Sequence, residues 1–287
     1  MRDVDCVDFL QWALPYLHMR WPGFRRVRGQ VCKRITQRIA QLDLDGADSY
    51  RSYLTEQPQE WAELDSLCRV TITRFYRDRQ MFSTLTGQIL PQQANSLQTE
   101  GHDVLRCWSI GCTSGEEPYT LSILWRELLA RDFPGLRLEV LATDADPRLI
   151  ERAHRACYPP STLKNLPETL RREAFTHSGD SYCLKQAYRS AVKFQVQDIR
   201  HTLPEGPFHL ILCRNLVFTY FDEALQRQIL QQLHARLLPA GWLILGVHET
   251  LPSTQQGFVV FSERLGLYRR EESSQAKPSF FHRDPLP

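Results

Sequence analysis

The chain has 287 residues, of which 42% are apolar and 24% charged, with a formal net charge of +2. These are values of an ordinary soluble globular protein, and they exclude a polyanion binder acting by bulk charge. No apolar run approaches the roughly 20 residues that cross a bilayer, and the opening MRDVDCVDFLQW carries acids where a signal peptide would carry an apolar centre.

Residues 1–92 read as a small helical domain. Val27, Val31, Ile35, Ile39 and Leu42 recur at helical spacing, and Ser49–Leu54 and Trp61–Leu67 suggest two more helices. The polar stretch Asn95–Gly101 reads as a linker, within a boundary region of 93–103. From residue 104 to 270 the character changes. Strand-like runs at 105–110, 138–143, 192–196, 208–213 and 242–247 alternate with helix-like runs at 117–131, 147–156 and 222–237. That alternation predicts an α/β domain, a parallel sheet with helices on both faces. Gly257–Phe261 and Leu265–Tyr268 follow with no helix between them and predict a closing antiparallel pair. Prolines and charge between Tyr158 and Tyr188 predict an inserted lobe at about 158–190, and the polar, proline-bearing 271–287 a disordered tail.

The eight cysteines (6, 32, 68, 107, 112, 157, 183 and 213) form no CxxC pair. They read as small core residues of a reducing cytosol, with neither disulfides nor a metal site expected. From Arg20 to Arg38 the chain carries seven basic residues and no acid. Arg26, Lys33, Arg34 and Arg38 are the candidates for docking an acidic partner, against the plainer reading of a solvated helix face. No stacking pattern of aromatic and basic residues points to nucleic acid.

The stretch LRCWSIGCTSGEEPY at 105–119 reads as strand, glycine turn and helix start, and the next strand ends at Asp144. A glycine turn after one strand and an acid at the tip of the next is how α/β proteins hold an adenosine-bearing cofactor. The spacing is GxxxG, not GxGxxG, and Glu116 and Glu117 follow at once. Two carboxylates repel a pyrophosphate but tolerate a sulfonium and an ammonium. The turn therefore favours S-adenosylmethionine (SAM) over NAD or ATP. Asp198 after the strand 192–196, and Asn215 after FHLILC, complete four polar strand tips in order.

With these motifs in view the sequence resembles the CheR family of SAM-dependent chemoreceptor glutamate methyltransferases. The carriers are TITRFYRDRQMF at 71–82, WSIGCTSGEEPYTL, ATDAD at 142–146, CRN at 213–215 and GVHETL at 246–251. The resemblance implies a Rossmann-like methyltransferase domain with a small inserted β lobe, preceded by a helical domain. It implies SAM as cofactor, S-adenosylhomocysteine as product, and a cytoplasmic enzyme acting on the helical cytoplasmic domain of methyl-accepting receptors; a monomer is the default expectation. By the same resemblance Thr71, Thr73 and Arg77 reach the methionine end of SAM, and Glu117 its ammonium. Gly111 belongs to the turn and Asp144 takes the ribose. Asp198 and Ile199 hold the adenine, and Asn215 and Leu216 line the sulfonium. Arg77 and Tyr220 are the expected catalytic residues.

The sequence departs from the family pattern in three places. Thr71 stands for an Asn, Asp198 for another, and the tyrosine follows Asn215 by five residues where the family has four. The extra residue motivates a second reading, a related methyltransferase with another protein or a small-molecule acceptor. A SAM-binding scaffold without turnover is the reading from another class.

Overall fold

The apolar runs of the second half pair into one seven-stranded sheet in the computed structural model, which describes residues 2–252 and 257–272. The strands are β1 (Val104–Ile110), β2 (Arg137–Asp144), β3 (Cys157–Tyr158), β4 (Phe175–Ser178), β5 (Ser181–Leu184), β6 (Val192–Val196), β7 (Phe208–Cys213), β8 (Leu237–Ile244), β9 (Phe258–Ser262) and β10 (Leu267–Arg270). The main sheet has the order β6-β2-β1-β7-β8-β10-β9. Its five strands from β6 to β8 run parallel, and β10 pairs antiparallel with both β8 and β9. This is the expected Rossmann-like α/β arrangement with its antiparallel closure. The three short strands β3-β5-β4 form a separate antiparallel sheet.

β1 shows why such strands read as continuous apolar runs. Leu105 and Cys107 join the core on one face, and Trp108 and Ile110 join the core on the other. The helices Asp3–Ala13, Arg28–Gln41, Ala47–Glu56 and Glu60–Cys68 share a core with the second face. The chain then crosses between the two faces. Phe75 and the helical run from Arg79 to Thr99 pack into the first-face core.

Two expectations are corrected here. The stretch taken as a linker, Asn95–Gly101, lies mostly in the helix Leu90–Thr99, with Pro91 in its first turn. Its polar residues are the solvent face of a helix that buries Leu90, Ala94 and Leu97. The cysteines are not all reduced core residues. Cys6 is bonded to Cys32 and Cys157 to Cys183, while Cys68, Cys107, Cys112 and Cys213 are free and buried. The first bond ties the opening helix to the basic one, and the second ties β3 to β5. The predicted disordered tail lies outside the described residues from 273 onward. Among the described residues, no helix is long and apolar enough to cross a membrane.

Candidate active site

Parallel pairing brings the strand tips level. Ile110 is in register with Thr143 on one side and Cys213 on the other, and Asp144 with Val196. The turns that leave these strands therefore open at one edge of the sheet, where α/β folds bind ligands. A cavity of about 690 Å³ lies there, a size suited to a cofactor. Every residue singled out above for cofactor or catalysis lines it: Thr71, Thr73, Arg77, Gly111, Glu117, Asp144, Asp198, Ile199, Asn215, Leu216 and Tyr220.

The floor is the glycine turn. Gly111 has φ +65°, and a Cβ there would sit 2.8 Å from Leu216 Cδ2. The turn is tied to the next strand, since Cys112 N donates to Thr143 O at 3.0 Å. Asp144 braces it further. Its Oδ2 accepts from Thr113 N and its Oδ1 from Asp146 N, each at 2.9 Å. Burial pushes the Asp144 carboxyl up from its usual range, and these two amides act in the opposite sense.

The two acids of the turn part company. Glu116 is 1% exposed, accepts from Ser114 Oγ and is not among the cavity residues. Glu117 faces the cavity, but its carboxylate is already engaged. Oε1 accepts from Ser109 Oγ and Oε2 from Arg214 Nη1, both at 2.8 Å. Arg214 also pairs with Asp78 of the crossing segment, so one buried guanidinium joins β7, the turn helix and residue 78. Arg77 forms no ion pair with its neighbour Asp78. It donates to Ile72 O at 3.0 Å and lines the cavity.

Asp198 is likewise held. Arg200 donates to both of its oxygens and, with the same guanidinium, to both oxygens of Asp65. Burial alone would push the Asp198 carboxyl up, but Arg200 outweighs it and the net direction is down. On the other side Asn215 sits at φ +55°. Its N–H donates to Glu249 Oε2 at 2.7 Å. Glu249 is 3% exposed and also accepts from Gly246 N at 2.7 Å and Thr219 Oγ1 at 2.5 Å. Burial pushes its carboxyl up, against these three donors. The segment after Asn215 forms a single helical turn, Val217–Tyr220. Phe218 is buried and Tyr220 reaches the cavity wall, its hydroxyl pushed up by burial and pulled down by the charge of Arg77.

The basic helix divides. Arg38 forms a two-pronged pair with Glu60 at 2.8 Å, and Arg34 Nη1 donates to Arg69 O at 2.8 Å. Both predicted docking residues are therefore committed within the chain. Arg26 and Lys33 are exposed, and Arg26 stands at the cavity wall. Arg214, Glu249 and Arg200 are the site residues that sequence reasoning missed. CRN and GVHETL stand out as motifs, but nothing in the sequence tells which partner each charge finds.

Residues 71–266 match the family model described as the CheR methyltransferase, SAM binding domain. A chemotaxis protein methyltransferase of Listeria innocua is 33% identical over 66% of this chain and 69% of its own length. One of Salmonella typhimurium is 31% identical over 80% of this chain and 79% of its own. An uncharacterized 104.1 kDa protein of Rhodobacter capsulatus is 30% identical over 82% of this chain, which spans only 24% of that relative.

Proposed function

The chain belongs to the CheR methyltransferase family, and we propose that this SAM-dependent methyltransferase esterifies glutamate side chains on the helical cytoplasmic domain of methyl-accepting chemoreceptors. The observation that carries the reading is the convergence of eleven residues far apart in the sequence, from Thr71 to Tyr220, on one cavity.

The cavity suits SAM on structural grounds. Gly111 provides a surface that any side chain would fill, and the buried Gln197 Oε1 and Arg214 Nε on the cavity wall have no partner among the described residues. When bound, SAM supplies a methyl group on a sulfonium and leaves as S-adenosylhomocysteine. Asp144, already oriented by two amides, would take the ribose hydroxyls. Glu117 would face the ammonium, sharing its charge with Arg214. Asp198 and Ile199 would hold the adenine, Thr71, Thr73 and Arg77 the carboxylate end, and Asn215 with Leu216 the reactive end.

A glutamate side chain has an ordinary pKa of about 4.3, so it arrives ionised and needs no general base. The chain's work is to orient that carboxylate and exclude water. Alignment alone supplies up to roughly 7–11 kcal/mol in favourable cases. Attack neutralises charge, so a dry wall formed by Phe218 and Tyr220 favours reaction over the separated ions. Arg77, which lines the cavity, acts as a positioning group. The reading places the enzyme in the cytoplasm as a monomer, with the exposed Arg26 and Lys33 facing the receptor's acidic helices. The extra residue beside Tyr220 favours, as a second reading, a different acceptor.

The test is transfer of labelled methyl from SAM to cytoplasmic receptor fragments of the same host. Alkali-labile label on glutamate is expected. Protein that binds SAM yet labels no receptor would overturn the acceptor, and alkali-stable label would favour the second reading.

A further inference from the structure

A one-turn helix leaves its last four carbonyls without partners inside the helix. In the turn Val217–Tyr220, Phe221 N takes the carbonyl of Val217 at 3.2 Å. The other three are all taken by one residue of the N-terminal helical part. Arg20 Nη2 donates to Phe218 O, Arg20 Nε to Thr219 O at 3.2 Å, and the Arg20 backbone N–H to Tyr220 O at 2.8 Å. Around this contact Met19 bridges Phe221, and Asp222 N donates to His18 O at 2.9 Å. Gly23 lies so close that a Cβ there would overlap the Thr219 carbonyl oxygen.

Arg20 is half-buried, and among the described residues no carboxylate lies within ion-pair distance of it. A half-buried guanidinium whose partners are all carbonyls has no ion pair to offset its desolvation, so stability alone does not account for it. It fits a positioning device, because the planar fork fixes two carbonyls at once and the positive charge suits a helix C-terminus. Glu249 holds the same turn from the inside through Thr219 Oγ1, the hydroxyl of the segment that carries the extra residue.

We propose that Arg20 is a positioning residue for methyl transfer: it sets the turn Val217–Tyr220, and with it Tyr220, against the acceptor. This rests on the methyltransferase reading above, and it adds that the helical part helps to build the acceptor wall as well as any docking surface.

The test compares the full-length protein with Arg20→Lys and Gly23→Ala. A lysine keeps the charge but exchanges the rigid planar fork for one ammonium on a flexible stem, and the alanine keeps the charge but forces the segment away from Thr219. Hydrogen exchange, read without substrate, should show the amides of Thr219, Tyr220 and Phe221 opening faster in both variants, with the sheet strands unchanged. SAM affinity by calorimetry should stay within about twofold, while kcat falls by about 10- to 100-fold, as misplacements of an ångström do. Wild-type exchange rates in both variants would overturn the proposal, and so would undiminished kcat. A fall in SAM affinity equal to the fall in kcat would also overturn it, assigning Arg20 a general structural role. Failure of the wild type to transfer methyl would sink the functional reading instead, and the exchange result would stand apart from it.

Discussion

Arg214 donates to Glu117 Oε2 at 2.8 Å from a side chain that is 3% exposed. The acid expected to meet the cofactor is thus already half-neutralised by a residue 97 positions away. Glu117 must share its charge, and the bond fixes its rotamer.

Glu117→Gln and Arg214→Met should therefore be strongly coupled. Removing one partner of a fully buried pair costs roughly 3–5 kcal/mol, and the partial exposure of the acids lowers the expectation to about 2 kcal/mol for each. The double variant should lose less than the sum, by about 1–2 kcal/mol. Urea unfolding of the four proteins measures this, and strictly additive losses would mean that the pair does not act as a unit.

Asp144→Asn should weaken SAM binding at least about tenfold, or ~1.4 kcal/mol. Both Asp144 oxygens face amide donors, and an asparagine must turn its own NH₂ toward one of them. Titration calorimetry reads the affinity. Unchanged binding would remove Asp144 from the cofactor site.

The divided basic helix predicts two different phenotypes. Arg26→Glu and Lys33→Glu should raise the KM for a receptor fragment several-fold with the melting temperature unchanged, since both are exposed. Arg38→Ala should lower the melting temperature, because it strands Glu60, which is 5% exposed. If Arg38→Ala changed only the KM, the internal pairing would not be its role.

Glu60 also sets a pH dependence. The Arg38 guanidinium holds its carboxyl below the usual range. A depressed folded-state value means the unfolded chain binds the extra proton first, so this stability is fully present above about 4.5 and is lost as pH falls through the lower folded value. The stability gap between wild type and Glu60→Gln should hold from pH 7 to 5 and shrink below. A gap that grows on acidification would reverse the assignment.

Thiol titration decides the cysteine pairing. Denatured, unreduced protein should show four reactive thiols, Cys68, Cys107, Cys112 and Cys213. Reduction should raise the number to eight. Loss of the Cys6–Cys32 closure, over a separation of 26 residues, should cost up to about 3 kcal/mol. Eight thiols before reduction would restore the reduced-core expectation.

The sheet was legible because parallel strands announce themselves as apolar runs, and the cavity because ligands gather at the ends of such strands. What was hidden lay in partners distant along the chain. Glu249 finds Asn215 34 positions away and Arg200 finds Asp65 135 positions away, and no periodicity carries such pairings. The helix Leu90–Thr99 escapes sequence reading because only three of its ten residues, Leu90, Ala94 and Leu97, are buried, so polarity imitates a linker. Cysteine spacing concealed both disulfides, since each closes between separate elements of the fold.

The stretch from Met19 to Val27 contributes to the cavity wall yet precedes Thr71, where the match to the family model begins. The cofactor floor thus lies within the matched residues, while the wall around Tyr220 is built jointly by the early segment and Phe218–Tyr220. Part of the cavity's shape is therefore set by residues outside the matched region, and it can change with that region's own residues kept as they are.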